Sequence, residues 1–192
     1  PLSKPWSYLA FNHGIRQHRS EASQNEADYN LDLLAPLGIS ETRPKPEVYL
    51  SPIRKQDARM FLINSGWHEH EPLVVVHPGM GGSALNWNEV SYIQLVEKLH
   101  DAGACVMLTA GTEEQDILNR FSQRLEHRAI YYGGKRAQGL DVFAGVLSFA
   151  DVVVAPSTGP LHLAHALGKP VVGIYPPIQV QSIKRWGPYQ AE

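Results

Sequence analysis

The sequence predicts an α/β fold organised around a doubly wound parallel sheet of the Rossmann-like type. From Leu73 onward, short apolar runs rich in β-branched residues alternate with segments whose apolar residues recur every three or four positions. The runs are continuous, as in strands that are buried on both faces of a parallel sheet. Enough residues separate successive runs for the helical crossovers that parallel pairing requires.

We expect five strands in this part of the chain, at 73–77, 104–110, 129–132, 151–155 and 171–175. The helices between them are predicted from apolar residues at helical spacing. They contain, in order, the stripe Val90, Ile93, Val96 and Leu99, the stripe Ile117, Leu118, Phe121 and Leu125, and the spans 140–149 and 161–167. Thr112, with Gln115 three residues later, predicts a capping box at the start of the second helix.

The first third of the chain has a weaker pattern, which we interpret as the end of a preceding domain. Its predicted elements are a strand at 6–11, a helix at 25–37, an extended proline-rich stretch at 42–52 and a helix at 55–64. Because the chain starts at Pro1 without a methionine, we expect it to be a piece of a longer protein. The predicted divisions are a domain remnant at 1–50, a linker at 51–72 and the α/β domain at 73–192.

The composition argues against several classes of protein. The net charge of −2 over 192 residues, without a lysine-rich run, gives no electrostatic reason to expect a nucleic-acid partner. The single cysteine, Cys105, lies in an apolar run, so we expect a buried small side chain rather than a disulfide. No apolar stretch is long enough to span a bilayer, and we therefore expect a cytoplasmic protein.

The most informative segment is 151–175, DVVVAPSTGPLHLAHALGKPVVGIY. An apolar run ends at Pro156, and a small polar turn follows at 157–159. Pro160 then suits the first turn of a helix. Such a turn presents backbone N–H groups and a helix N-terminus, which together bind phosphate in many proteins. The segment therefore predicts an anion-binding site.

Two further loops follow the carboxyl ends of predicted strands, at 78–86 and 111–114. Ligands of open parallel sheets bind at this edge. The first loop contains Gly79, Gly81 and Gly82, which allow the backbone to approach a ligand closely. Glycines can also serve only to make turns, but three such loops on one edge favour a nucleotide-type site.

Three titratable side chains belong to these loops. His162 lies in the first turn of the predicted helix, and its ring can reach the same anion because helical side chains lean toward the N-terminus. Glu113 and Glu114 lie at the start of another helix. A carboxylate there can stabilise the helix N-terminus, or it can accept hydrogen bonds from a ribose. Both interpretations stay open at this point.

Other chemical motifs are weak or absent. The run His68-Glu69-His70-Glu71 lies in a predicted connector, where alternating residues do not impose a tetrahedral site, so we predict no metal. Ser157 lacks the G-x-S-x-G setting of a nucleophile, and the sequence contains no G-x-x-x-x-G-K-[ST] phosphate loop.

With these motifs considered, the chain resembles glycosyltransferase family 9, the heptosyltransferases of lipopolysaccharide core assembly. The resemblance extends over about 73–188, and residues 1–50 are more weakly similar to the last part of the family's N-terminal domain. It rests on STGPLHLAHALG at 157–168, on His77-Pro78-Gly79 followed by Trp87, and on Gly111 with Glu113 and Glu114.

The resemblance implies a two-domain GT-B fold, of which this chain would be the C-terminal half with a remnant of the N-terminal domain. It implies an enzyme that transfers a sugar from a nucleotide-sugar donor, typically ADP-heptose, with inversion and without a metal or other cofactor. The acceptor would be lipid-linked or an oligosaccharide, and would bring the protein to the inner face of the cytoplasmic membrane. The general base belongs to the family's N-terminal part, so no catalytic residue is assigned and this piece alone is expected to be inactive.

The resemblance also implies a role in donor binding for each loop. Thr158, Gly159 and His162 would bind the diphosphate or the adjoining sugar. Glu113 or Glu114 would accept from the ribose, and the stretch near Gln138 would flank the base. The complete set of implied donor-binding residues is Met80, Gly81, Gly82, Ser83, Glu113, Glu114, Gln138, Ser157, Thr158, Gly159, Pro160 and His162.

The chain departs from the family's pattern at two positions. Ser157 stands where the family usually has aspartate, and Leu85, two residues before Trp87, stands where the family usually has lysine. Two alternatives therefore stay open. One is another GT-B transferase or a nucleotide-sugar epimerase that uses UDP, and the other is a non-catalytic binding or assembly module on the same scaffold.

Overall fold

The computed structural model describes residues 14–39, 43–81, 85–133 and 139–190. Its strands are β1 (Leu73–Val76), β2 (Cys105–Ala110), β3 (Ile130–Gly133), β4 (Val152–Pro156) and β5 (Val171–Ile174). Its α-helices are α1 (Glu26–Leu31), α2 (Pro52–Asn64), α3 (Glu89–Asp101), α4 (Gln115–Leu125), α5 (Leu140–Phe149), α6 (Gly159–Ala166) and α7 (Ile183–Trp186).

The five strands form one parallel sheet in the order β3-β2-β1-β4-β5. Val75 of β1 pairs with Met107 of β2 on one side and with Val153 of β4 on the other, so β1 lies at the centre. The chain builds outward from β1 through β2 and β3, then crosses over and continues through β4 and β5. This order defines a doubly wound sheet, and the predicted fold class is confirmed. The switch point between β1 and β4 is where such sheets bind ligands.

Helices cover both faces of the sheet. Val74 and Val76 pack with residues of α3 and α4, whereas Leu73 and Val75 pack on the opposite face with residues of α2, α5 and α6. Successive side chains of a strand point to opposite faces, so burial on both faces requires an apolar residue at every position. The continuous apolar runs of the sequence have this physical cause.

Helix α2 packs closely against α5. Ala58 and Leu62 of α2 are fully buried in the same core cluster as β1. A Cβ on Gly145 of α5 would lie 2.8 Å from the Cβ of Ala58. Glycine at this position therefore allows the two helices to approach, and α2 is an integral part of the core around the sheet.

The described residues form two compact units. One unit comprises the described residues of 46–176 and contains the sheet; the other comprises those of 1–45 and 177–192. In this second unit, Arg185 donates to Glu26 at 2.8 Å, and Asn25 donates to the carbonyl of Gly187 at 2.9 Å. These bonds tie the segment that follows β5 to α1. The domain boundaries expected at residues 50 and 72 stay a prediction.

Several local predictions can be compared with this structure. The predicted strands and helices of the sheet unit match the observed ones to within three residues. The predicted helix at 25–37 is α1 followed by a 3-10 segment at Asp32–Leu37, which ends at Gly38 with a φ of 72°. The predicted strand at 6–11 lies outside the described residues.

The predicted capping box at Thr112 is wrong. Glu114, not Thr112, occupies the N-cap of α4. The chain first makes a turn after β2, in which the N–H of Glu114 donates to the carbonyl of Gly111 at 3.1 Å. This turn moves the start of the helix two residues along the chain. The Glu114 side chain accepts hydrogen bonds from Gly81 and Gly111 and does not cap the helix.

Candidate functional site

The three predicted loops follow β1, β2 and β4 at the carboxyl edge of the sheet. These strands are neighbours, so the loops leave adjacent positions on one side of the sheet. The described residues include Met80, Gly81, Glu113, Glu114, the turn at 157–160 and His162. The other predicted donor-binding residues, Gly82, Ser83 and Gln138, lie outside the described residues.

His77 follows β1 and connects three strands. Its backbone N–H donates to the carbonyl of Val154 at 2.9 Å, and its Nδ1 lies 2.9 Å from Oγ1 of Thr109 in β2. Burial lowers the pKa of His77 to about 4, so its ring is neutral at physiological pH. Neither His77 nor Thr109 was predicted as a site residue. The available signal was a polar residue at matching positions near the ends of two apolar strands.

Glu114 connects the loop after β2 with the loop after β1. Its Oε1 accepts from the N–H of Gly81 at 3.0 Å, and its Oε2 accepts from the N–H of Gly111 at 2.9 Å. The N–H of Met80 donates to the same carboxylate. Burial raises the pKa of Glu114, but these backbone donors together outweigh it and hold the pKa below its ordinary value. Glu114 is therefore charged at neutral pH, with both oxygens engaged by the loops.

Gly79 lies directly against the Glu114 carboxylate. A Cβ at this position would be 2.1 Å from Oε2 of Glu114 and 2.7 Å from its Cδ, which is closer than nonbonded atoms can come. Glycine is therefore required for the loop after β1 to pack on Glu114. Gly81, with a φ of 54°, adopts the left-handed conformation at the next turn of this loop.

The loop after β4 leads directly into α6. The helix begins at Gly159, two residues before the predicted start, with Thr158 at the N-cap and Pro160 in the first turn. The Thr158 hydroxyl donates to the carbonyl of Pro156 at 3.2 Å instead of capping the helix. The positive end of the helix dipole therefore lies at the carboxyl edge of the sheet without a side-chain cap from Thr158.

His162 lies in the first turn of α6 and is partly buried. Burial lowers its pKa, and the neighbouring His165 lowers it further. The ring is therefore neutral at neutral pH, and a neutral imidazole still carries one N–H donor. In this first turn Pro160 has no N–H, and the N–H groups of Leu161 and His162 donate to the carbonyl of Thr158 at 3.1 and 3.4 Å. The N–H of Gly159, the positive end of the helix dipole and a donating imidazole can together bind an anion.

The run from His68 to Glu71 lies between α2 and β1, away from these loops in sequence. Arg59 holds Glu69 through two hydrogen bonds of 2.6 Å, and the rings of His68 and His70 stack with centroids 5.8 Å apart. In the part of the chain that the structure describes, no three His, Cys, Asp or Glu side chains are grouped as metal ligands. Over the same residues, no helix is long and apolar enough to cross a membrane.

Known proteins of similar structure share this fold. The crystal structure of the glycosyl transferase family 9 from Veillonella parvula matches with a TM-score of 0.78 at 20% identity, over 92% of this chain and 50% of that one. The structure of Escherichia coli heptosyltransferase WaaC with ADP matches with a TM-score of 0.63 at 22% identity, over 97% of this chain and 53% of that one.

Sequence comparison assigns the family. A Haemophilus influenzae protein described as a candidate glycosyltransferase is 33% identical over an alignment of 196 positions, which covers 98% of this chain and 56% of that protein. The chain thus spans about half the length of the relatives it matches. The model of glycosyltransferase family 9 (heptosyltransferase) matches residues 7–192, nearly the whole sequence. This chain therefore belongs to glycosyltransferase family 9.

Proposed function

We propose that the protein to which this chain belongs is an inverting, metal-independent glycosyltransferase, and that this chain holds the site for its nucleotide-sugar donor. Membership of family 9 is the observation that carries the proposal. We infer heptose as the sugar because the family is described as heptosyltransferase, and ADP as the nucleotide because a relative of the same fold was solved with ADP. The acceptor we infer from the resemblance is of the lipopolysaccharide type.

The carboxyl edge of the sheet supports a site for a nucleoside diphosphate. We assign the diphosphate or the adjoining sugar to Thr158, Gly159 and His162, because the N–H of Gly159, the helix dipole at the start of α6 and the neutral imidazole of His162 all favour an anion there. The loop that contains Met80 and Gly81 would line the same site from β1. The ribose would be bound by a carboxylate of the loop after β2, and the base would lie near residue 138.

This arrangement suits the chemistry of sugar transfer. An acceptor oxygen attacks the anomeric carbon from the face opposite the diphosphate, the bond from that carbon to the diphosphate oxygen breaks, and the acceptor proton passes to a general base. Fixed N–H donors stabilise the negative charge on the departing diphosphate, a task that a metal ion performs in other enzymes. We propose that the general base and the acceptor site lie in the half of the family's length that this chain does not span.

The nucleotide preference of the chain tests the proposal. We expect ADP at tenfold excess over its Kd to raise the midpoint of thermal unfolding by about 3–6 °C, and UDP to raise it less. We also expect the chain alone to release no ADP from ADP-heptose in the presence of acceptor. Turnover by this chain would contradict the assignment of the base to another part of the protein.

The same measurement separates the two alternatives, of which the non-catalytic module stays open because of two departures from the family's pattern. Ser157 and Leu85 replace residues that the family usually has, and Leu85, whose side chain is 64% exposed, carries no charge for a diphosphate. Stabilisation by UDP and not by ADP would indicate a different GT-B transferase or an epimerase. A folded chain that no nucleotide stabilises would indicate a binding or assembly module.

A further inference from the structure

Backbone N–H groups from two separate loops converge on the carboxylate of Glu114. Gly81 and Met80 belong to the loop after β1, and Gly111 is the first residue after β2. N–H groups of glycine-rich loops are the donors that such loops commonly offer to phosphate. At this edge of the sheet these N–H groups already donate to an anion of the protein itself, the carboxylate of Glu114.

The hydrogen bonds of Glu114 are not those of a carboxylate that caps a helix. Glu114 occupies the N-cap of α4, yet its side chain makes no capping hydrogen bond to that helix. The carboxylate instead points back across the edge to a loop 33 residues earlier in the chain. Gly79 leaves room for it, because any larger residue there would overlap Oε2 of Glu114.

We propose that Glu114 is a positioning residue that fixes the loops after β1 and β2 as one rigid wall of the nucleotide site, and that it does not itself bind the ribose. Both of its oxygens are engaged by backbone donors of the two loops. Glu113, which is exposed in the same loop, is then the carboxylate left for the ribose hydroxyls. The identity of the ligand, though not the joining of the loops, rests on the proposed function.

Amide hydrogen exchange tests the joining of the loops without any ligand. Glu114→Gln keeps the shape of the side chain but replaces one acceptor oxygen with an NH₂ group, which faces an N–H donor. We expect the amides of Gly81 and Gly111 to exchange about tenfold faster or more in this variant, as loss of a hydrogen bond to a charged group predicts. Glu126→Gln, at the exposed C-cap of the same helix, is the matched control and should leave both rates unchanged.

Nucleotide binding distinguishes a positioning role from a direct contact with ribose. We expect Glu114→Gln to weaken the binding of ADP and of 2′,3′-dideoxy-ADP by the same factor, about tenfold, because the substitution acts by displacing the loops and not by removing a contact with the ribose. Glu113→Gln should weaken the binding of ADP and leave the binding of the dideoxy nucleotide unchanged. If the effect of Glu114→Gln disappears with the dideoxy nucleotide, Glu114 binds the ribose and the proposal is wrong.

Gly79→Ala provides a second variant whose effect depends on the same contact. The new Cβ would displace the carboxylate, so this variant should reproduce the faster exchange of Glu114→Gln. In a Glu114→Ala background the obstructing atoms are gone, and Gly79→Ala should add little. If the unaltered chain binds no adenine nucleotide, the proposed function fails while exchange still decides the positioning role. Unchanged exchange of the Gly81 and Gly111 amides in Glu114→Gln would overturn the positioning role.

Discussion

At the same edge of the sheet, His77 is held neutral and Glu114 is held negatively charged. His77 is neutral because burial disfavours its protonated form, and Thr109 provides its hydrogen-bond partner. Glu114 is charged because backbone donors of two loops outweigh the effect of its partial burial. At the residue scale, local donors and solvent access therefore set the protonation state of each group, and the charged carboxylate of Glu114 in turn holds the two loops.

The first prediction concerns the pH dependence of stability that His77 causes. Its folded pKa of about 4 lies below the ordinary value of 6.5, so the unfolded chain takes up the proton first. The contribution of His77 is complete above pH 6.5 and is lost as the pH falls toward 4, a change of about 3 kcal/mol. His77→Asn, which cannot titrate but retains a polar partner for Thr109, should therefore show a flatter curve over this range.

Urea unfolding between pH 7 and 4 measures this difference. His100→Asn, the same substitution at an exposed histidine of α3, is the control for the change of residue type. Glu114, whose charge opposes the shift of the His77 pKa, is present in both variants. Parallel curves for the unaltered chain and His77→Asn would contradict this account of His77.

The site could be predicted only in part at this scale. Gly79, Gly81 and Gly111 mark the loops in the sequence, because glycine in such positions signals turns or close approach. The partner of their N–H groups could not be predicted, since the bond from Glu114 to Gly81 spans 33 residues and depends on β1 and β2 being neighbours. The capping role was wrongly predicted for Thr112 because the contact of Glu114 with the loop after β1, like the strand pairing, is not visible in the local sequence.

At the scale of elements, the close approach of α2 and α5 joins the stretch before the sheet to its core. The helix predicted at residues 140–149 is α5, and the structure has the same bounds. The contribution of α2 was not visible from its own sequence, because only Ala58 and Leu62 of this helix are buried. The packing of α2 depends instead on Gly145 of α5, which leaves room for Ala58.

The second prediction concerns this glycine. Gly145→Val would place a Cβ 2.8 Å from the Cβ of Ala58 and 3.0 Å from the carbonyl oxygen of Arg54, so the helices must separate. We expect the free energy of unfolding to fall by about 2 kcal/mol or more, as overpacking does in other cores. Leu140→Val, at a position of the same helix that is 72% exposed, should change it little. Equal stability of Gly145→Val and the unaltered chain in urea would contradict the packing described.

At the scale of the whole molecule, the described residues form two units, and the second unit combines two segments that are distant in the sequence. Glu26 and Arg185, 159 residues apart, form an ion pair in which both side chains are about five-sixths buried, with 16% and 15% exposed. No local pattern in the sequence marks this pairing. The doubly wound parallel sheet could be predicted from a repeated local pattern, whereas the return of residues 177–190 to α1 could not.

The third prediction separates the two units by their stability. Glu26→Ala would leave Arg185 partly buried without its carboxylate, and we expect the second unit to lose about 2 kcal/mol. The amides of α1 should then exchange faster while those of β1 are unchanged. Glu21→Gln, at a side chain that is 66% exposed in the same unit, is the control. Equal acceleration in both units would show that they unfold together.

The central claim is that the start of α6 and the loops beside it bind the diphosphate of the donor. A titration of the isotopically labelled chain with ADP, followed at each backbone amide, tests this claim most directly. We expect the largest shifts at Gly159, Leu161 and His162, with further shifts at Gly81, and none at His100 or His127 on the opposite edge of the sheet. Shifts confined to that opposite edge, or none at the start of α6 when ADP is saturating, would contradict the claim.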